Sequence, residues 1–149
     1  MKALVELLNN QILWVAILSW FIAQFLKVVI TLLQERRLDL SKFWASGGMP
    51  SSHSSFVMAL TGSIGQLYGF DSVYFAISMV FSFIVMYDAA NVRLEAGKQA
   101  VVINQIIKVL ENPDLNPEER LKEILGHTPL QVLAGGILGV VVSFLCFLG

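Results

Sequence analysis

Apolar residues in this chain gather into four long runs, separated by links of very unequal length. The runs lie at about Gln11–Leu33, His53–Tyr68, Ser72–Ala90 and Pro129–Leu148. A helix needs about 20 residues to cross a hydrocarbon core. The pattern therefore predicts four crossings, the second short but extendable at both ends. In lipid the backbone must satisfy its own amides, so the runs are expected as helices rather than strands. The first run is too long for a removable leader and lacks a small-residue cleavage site, so it reads as an anchor.

A tight turn around Gly69, Phe70 and Asp71 joins runs two and three. Gln34–Ser52 joins runs one and two, and Asn91–Thr128 joins runs three and four. The last link opens with "VRLEAGKQAVVINQIIKVLE", which predicts a helix with an apolar face through Val92, Ala96, Ala100, Ile103 and Ile107. Such a segment lies at the membrane interface or caps the bundle. "NPDLNP" ends it at two prolines, and "EERLKEIL" reads as a short second helix. The expectation is one domain over residues 1–149: an all-α integral membrane bundle of four transmembrane helices, with an amphipathic helical link between spans three and four.

Composition strengthens this picture. The 149 residues are 56% hydrophobic and only 14% charged, against about 25% charged in soluble domains. Mean hydropathy is +0.70. No basic patch suggests nucleic acid, and none is expected as a partner. The single cysteine, Cys146, cannot form an internal disulfide and reads as a small apolar residue. Pairing with a second copy is compatible with so small a bundle.

Charge also gives a direction. The two long links carry Arg36, Arg37, Lys42, Arg93, Lys98, Lys108, Arg120 and Lys122, whereas the opposite side carries Lys2 alone. The positive-inside rule then places both links in the cytoplasm and both termini outside, in a plasma (inner) membrane.

Candidate chemistry collects on that cytoplasmic side. In "SGGMPSSHSSF", Gly47 and Gly48 loosen the backbone, Pro50 breaks it, and Ser51 or Ser52 can cap the second span. Helix-start amides, serine hydroxyls and His53 together make a cradle suited to a phosphate oxygen. The plainer reading is a serine-rich helix start with an incidental histidine. In "ILGHTPLQVLAGG", Thr128 suits an N-cap, Pro129 the first helical position and Gln131 a capping-box partner. His127 therefore also stands at a span's start. Two histidines so placed suggest a nucleophile and a general acid. No metal-ligand spacing occurs, and no metal or other cofactor is expected.

Two ionisable residues interrupt apolar runs. Lys27 is placed either to meet a phosphate, or to snorkel to the surface, or to pair with Asp88. Asp88 either pairs with Arg93 or orients a catalytic group while Arg93 takes phosphate oxygens.

These residues resemble the divergent branch of the type-2 phosphatidic acid phosphatase superfamily, which also contains vanadium-dependent haloperoxidases. "GGMPSSHS", "YDAANVRLEAGKQAVVIN" and "LGHTPLQVLAGG" carry the resemblance over nearly the whole chain. It implies that His127 attacks phosphorus to form a phosphohistidine. His53, in Pro50-Ser51-Ser52-His53, protonates the leaving oxygen. Lys27 and arginines hold the phosphoryl oxygens, with Arg93, Arg37 and Arg120 as candidates beside Ser51 and Ser52. The arginine positions are shifted: Gln34 and Leu121 stand where the superfamily has arginine, with Arg36, Arg37 and Arg120 nearby. Gln131 stands where an acid orients the nucleophile, and Asp88 is the alternative orienter.

The resulting expectation is a metal-independent membrane phosphatase acting on a lipid phosphomonoester, such as phosphatidylglycerol phosphate or phosphatidate, at the cytoplasmic face. The alternative is a catalytically inactive protein that binds anionic lipid or serves as a membrane scaffold. A haloperoxidase is a third and weaker option.

Overall fold

The computed structural model describes residues 1–36, 39, 43–44, 47–109 and 126–148. The described residues are helical throughout their regular elements. These are α1 (Lys2–Leu8), α2 (Gln11–Glu35), α3 (Ser52–Tyr68), α4 (Val73–Tyr87), α5 (Arg93–Val109) and α6 (Pro129–Phe147). A π-helical turn, Asp88–Val92, connects α4 to α5 without a break.

Among the described residues, three helices are long and apolar enough to cross a membrane: Gln11–Glu35, the continuous Val73–Ile107 and Pro129–Phe147. The remaining predicted span forms α3, a helix of 17 residues. It is the centre of the bundle, packing against α6, α2 and α4.

The helices α2, α3, α4 and α6 start where the sequence supplies a cap. Asn10, Ser51, Ser72 and Thr128 accept a backbone N–H from three residues on. Gly69, at φ +91°, makes the turn after α3. Thr128 and Gln131 form the expected capping box, with Pro129 at the first turn of α6.

The core reverses the pattern of a soluble bundle. Among the described residues, the buried hydrophobic side chains are alanines and valines, such as Ala16, Ala23, Val57, Ala59 and Val142. Buried beside them are Ser19, Ser55, Thr61, Ser63, Ser82 and Ser143. Leu18, Phe25, Ile77, Phe83, Leu133 and Leu145 all face outward. Between helices already in lipid, burial of large apolar side chains gives no drive to associate. Close packing of small residues and interhelical hydrogen bonds do. Ser19 and Ser55 lock α2 to α3 through hydroxyls 2.6 Å apart. Thr61 and Ser82 lock α3 to α4 at 2.8 Å.

The α3–α6 contact is closer still. A Cβ on Gly135 would lie 2.2 Å from the Ser51 carbonyl oxygen, and one on Gly139 would lie 2.3 Å from that of Ser55. Gly62 of α3 faces the side chain of Ser143. The stripe Gly135, Gly139, Ser143 has the four-residue spacing that lets helix backbones approach.

Three readings of the sequence change. The third span does not end at Ala90, because nothing between Tyr87 and Arg93 breaks the helix and the π turn carries it onward. The predicted apolar face of α5 is not its buried face. Ala100 is buried, but Val92 and Ile103 are exposed, and Gly97 and Asn104 are buried instead. Burial there does not follow hydropathy. The α1 helix, which the apolar pattern did not single out, precedes α2. The "NPDLNP" break and the "EERLKEIL" helix lie outside the described residues.

Candidate functional site

The starts of α3 and α6 lie side by side at one end of the bundle. The Ser51 amide donates to the Gln131 carbonyl at 3.0 Å. The π turn closes a third side. His127 donates its backbone N–H to the Ala89 carbonyl at 3.1 Å. A Cβ on Gly126 would lie 2.3 Å from the Leu94 nitrogen, so only glycine allows this approach. π turns inside α-helices are frequent at functional sites, and this one seats the strand of backbone that carries His127.

The two imidazoles converge. Their ring centroids are 6.3 Å apart and meet edge to face at 64°, although the residues are 74 positions apart in the chain (127 − 53). His127 is buried, at 2% exposure, and His53 is half-buried. The Nε2 of His127 and the Nδ1 of His53 are buried without a hydrogen-bond partner among the described residues.

Gln131 determines which His127 nitrogen carries the proton. Its Oε1 accepts the Thr128 backbone N–H at 3.1 Å. A backbone N–H cannot donate to an amide NH2, so this contact identifies the oxygen of Gln131. The same oxygen stands 3.3 Å from His127 Nδ1. Nδ1 must therefore donate, and in the neutral ring the lone pair resides on Nε2. Burial holds His127 below the ordinary histidine range, and the charge of Lys27 and the neighbouring His53 push in the same direction. The Gln131 hydrogen bond and the Gly48 backbone oppose them.

Lys27 enters from α2. It is 2% exposed, and its Nζ donates to Ser52 Oγ at 3.2 Å. Gly48, at φ +93°, lies over its aliphatic stem. Lys27, Arg93 and Asp88 all act electrostatically on His53. Asp88 itself accepts from Arg93 Nε at 2.7 Å in a partly exposed ion pair. That pair uses the Nε of Arg93.

The structure thus brings together Lys27, Ser52, His53, His127 and Gln131, with the Asp88–Arg93 pair at the rim. Ser51 is placed as a cap: its Oγ accepts from Ser54 N and Ser54 Oγ. Gln131, rather than Asp88, is the side-chain partner of His127. Arg37 and Arg120 lie outside the described residues. Sequence reading passed over Gln24, one turn from Lys27 on the same face of α2. It is 4% exposed, and its Oε1 has no hydrogen-bond partner among the described residues. A long polar residue inside an apolar run was the available signal. It also passed over the Gly135–Gly139 spacing, a visible mark of close helix packing.

This arrangement groups a buried lysine, a serine hydroxyl and two imidazoles, one of them held by Gln131, at one end of a helical bundle. The chain belongs to the Divergent PAP2 family, whose family model matches residues 8–142. It is 40% identical over 149 aligned residues to the "Uncharacterized membrane protein YuiD" of Bacillus subtilis (strain 168), covering 93% of this chain and 94% of that protein. No solved structure matches it.

Proposed function

We propose that this chain is an integral membrane phosphatase that hydrolyses a lipid phosphomonoester through a phosphohistidine. The observation that carries the reading is the approach of His53 to a buried His127 whose Nδ1 is engaged by Gln131, which leaves the lone pair of the neutral ring on Nε2. In this reading Nε2 of His127 attacks phosphorus, the P–O bond to the lipid breaks, and His53 protonates the departing alkoxide. Water then attacks phosphorus while His53 takes its proton, the P–N bond breaks, and inorganic phosphate leaves. Lys27, Ser52 and Arg93 neutralise the phosphoryl oxygens, which is most of what phosphoryl transfer requires.

The bundle crosses the bilayer with α3 as a fourth, enclosed member. Its 17 residues extend about 25 Å, close to the roughly 30 Å of a hydrocarbon core. Three neighbouring helices shield its serines from lipid. The excess of lysine and arginine in the two long links orients the site toward the cytoplasm. Phosphatidylglycerol phosphate and phosphatidate are the substrates of first choice.

A catalytically silent anionic-lipid binder is the second reading. It is favoured by the neutral amide beside His127 and by the engagement of Asp88 with Arg93. Purified protein assayed against a panel of lipid phosphomonoesters separates the two. The phosphatase reading expects phosphate release that falls by roughly 100-fold or more in His127→Ala and His53→Ala. It also expects an acid-labile, base-stable phosphoprotein that His127→Ala abolishes. Equal background rates in all three proteins, with no trapped phosphoprotein, would leave the silent binder.

A further inference from the structure

The groups that would hold a phosphate are shut away. Lys27, Ser52 and His127 are each 2% exposed. A phosphoryl group is strongly hydrated, and stripping its water is costly unless its oxygens gain partners at once. Such an anion cannot pass between atoms packed this closely, so some part of the enclosure has to move.

Three sides of the enclosure are fixed. Hydroxyls of Ser19 and Ser55 tie α2 to α3. Gly135 and Gly139 seat α6 on the carbonyls of Ser51 and Ser55. The segment carrying His127 is held by its bond to the Ala89 carbonyl and by the contact of Gly126 with the Leu94 backbone. The remaining side is the irregular stretch from Gly47 to Pro50, just ahead of α3. Among the described residues this stretch makes no backbone–backbone hydrogen bond. The chain is next pinned at Ser51, whose amide donates to the Gln131 carbonyl.

Gly48 is the point of contact. A Cβ built there would stand 3.8 Å from Cγ and Cδ of Lys27, so the backbone lies against the stem of that side chain. The same backbone lies close enough to the His127 ring to favour its charged form. One glycine therefore meets two residues of the candidate site that come from distant parts of the chain. Its φ of +93° suits glycine, and a second glycine precedes it, so the stretch can pivot without crossing strained backbone.

Resting on the anion-binding part of the phosphatase reading, we infer that Gly47–Pro50 is a lid on the candidate site, closed in this structure, which swings off Lys27 and His127 to admit a phosphoryl group. Opening lets the anion in. Closing expels water and lowers the local dielectric, which strengthens the pull of Lys27 on the bound oxygens.

The test uses the full chain in detergent with its single cysteine replaced, Cys146→Ser. Met49 of the lid shares a groove wall with Ile30 of α2. Met49→Cys and Ile30→Cys are joined by a short bis-methanethiosulfonate, which dithiothreitol later releases. Association of inorganic phosphate is followed by stopped-flow tryptophan fluorescence. The pinned protein is expected to take up phosphate at least roughly tenfold more slowly than the same protein after release, because its open fraction has been removed. Gly48→Ala acts in the opposite direction. An L-residue at that φ weakens the closed state by about 5- to 30-fold, and phosphate association should quicken by a similar factor. A stretch with only a structural role would not produce opposite effects.

Equal rates in pinned and released protein, slower association in Gly48→Ala, or no phosphate binding after release each overturn the inference. Hydrolysis plays no part in these readings. Gated binding without turnover removes the phosphatase reading alone, and turnover with ungated binding removes the lid alone.

Discussion

Gln131 Oε1 stands 3.3 Å from His127 Nδ1 while accepting the Thr128 N–H that closes the cap of α6. One amide thus joins a helix start to the tautomer of a candidate nucleophile. Gln131→Glu keeps both acceptor contacts and adds a charge that stabilises an imidazolium. Its phosphatase rate at neutral pH is expected to rise by several-fold, since charge-assisted hydrogen bonds are about twice as strong as neutral ones. Gln131→Leu removes both contacts. It is expected to lose roughly 1 kcal/mol of stability and at least tenfold in rate. Phosphate release and thermal unfolding in detergent measure the two effects.

Burial sets the expected pH profile. In the phosphatase reading His127 attacks only when neutral, and its folded pKa lies below the ordinary value of 6.5. The acid limb of kcat should therefore fall below that value. Stability follows the same sign, because the unfolded chain binds the proton more readily. His127's contribution is fully present above 6.5 and is lost as pH falls through the folded pKa. His127→Gln should flatten that acid dependence in a melting series. An acid limb above 6.5 would contradict the assignment.

The α3–α6 backbone contact predicts unequal tolerance among neighbouring glycines. Gly135→Ala and Gly139→Ala meet carbonyl oxygens that cannot step aside. Each is expected to destabilise the protein by about 1–3 kcal/mol or more. Gly136→Ala meets only the flexible ends of Met86 and Met58, and a change within about 1 kcal/mol is expected. Thermal unfolding of the three variants in one detergent checks the ranking.

Lys27 is held at the cradle by Ser52. Lys27→Met keeps the length and apolar stem of the side chain while removing its charge. Affinity for phosphate or vanadate should fall roughly 10- to 100-fold, the range expected for one hydrogen bond to a charged group. Titration of each anion against the intrinsic tryptophan fluorescence measures the loss. Equal affinity in both proteins would remove Lys27 from the anion site.

Much of this protein was readable from spacing alone. The apolar runs located every membrane-length helix, and Ser51, Thr128, Pro129 and Gln131 announced where α3 and α6 begin. Those starts put His53 and His127 at helix entrances, and the quoted motifs pointed to the family. Such features are local: a cap or a 20-residue apolar run carries its meaning within a few turns of chain.

The tertiary structure decided which faces meet. Hydropathy could not show that α3 is the enclosed helix, because in lipid large apolar side chains face outward and small ones draw backbones together. Gly135 and Gly139 let α6 settle onto Ser51 and Ser55, and that contact brings the two imidazoles within 6.3 Å. The π turn after Tyr87 placed the Ala89 carbonyl under His127. Gln24 and Ser52 joined Lys27 in the interior for the same reason: close approach of backbones, rather than the polarity of any one residue, determined what was buried together.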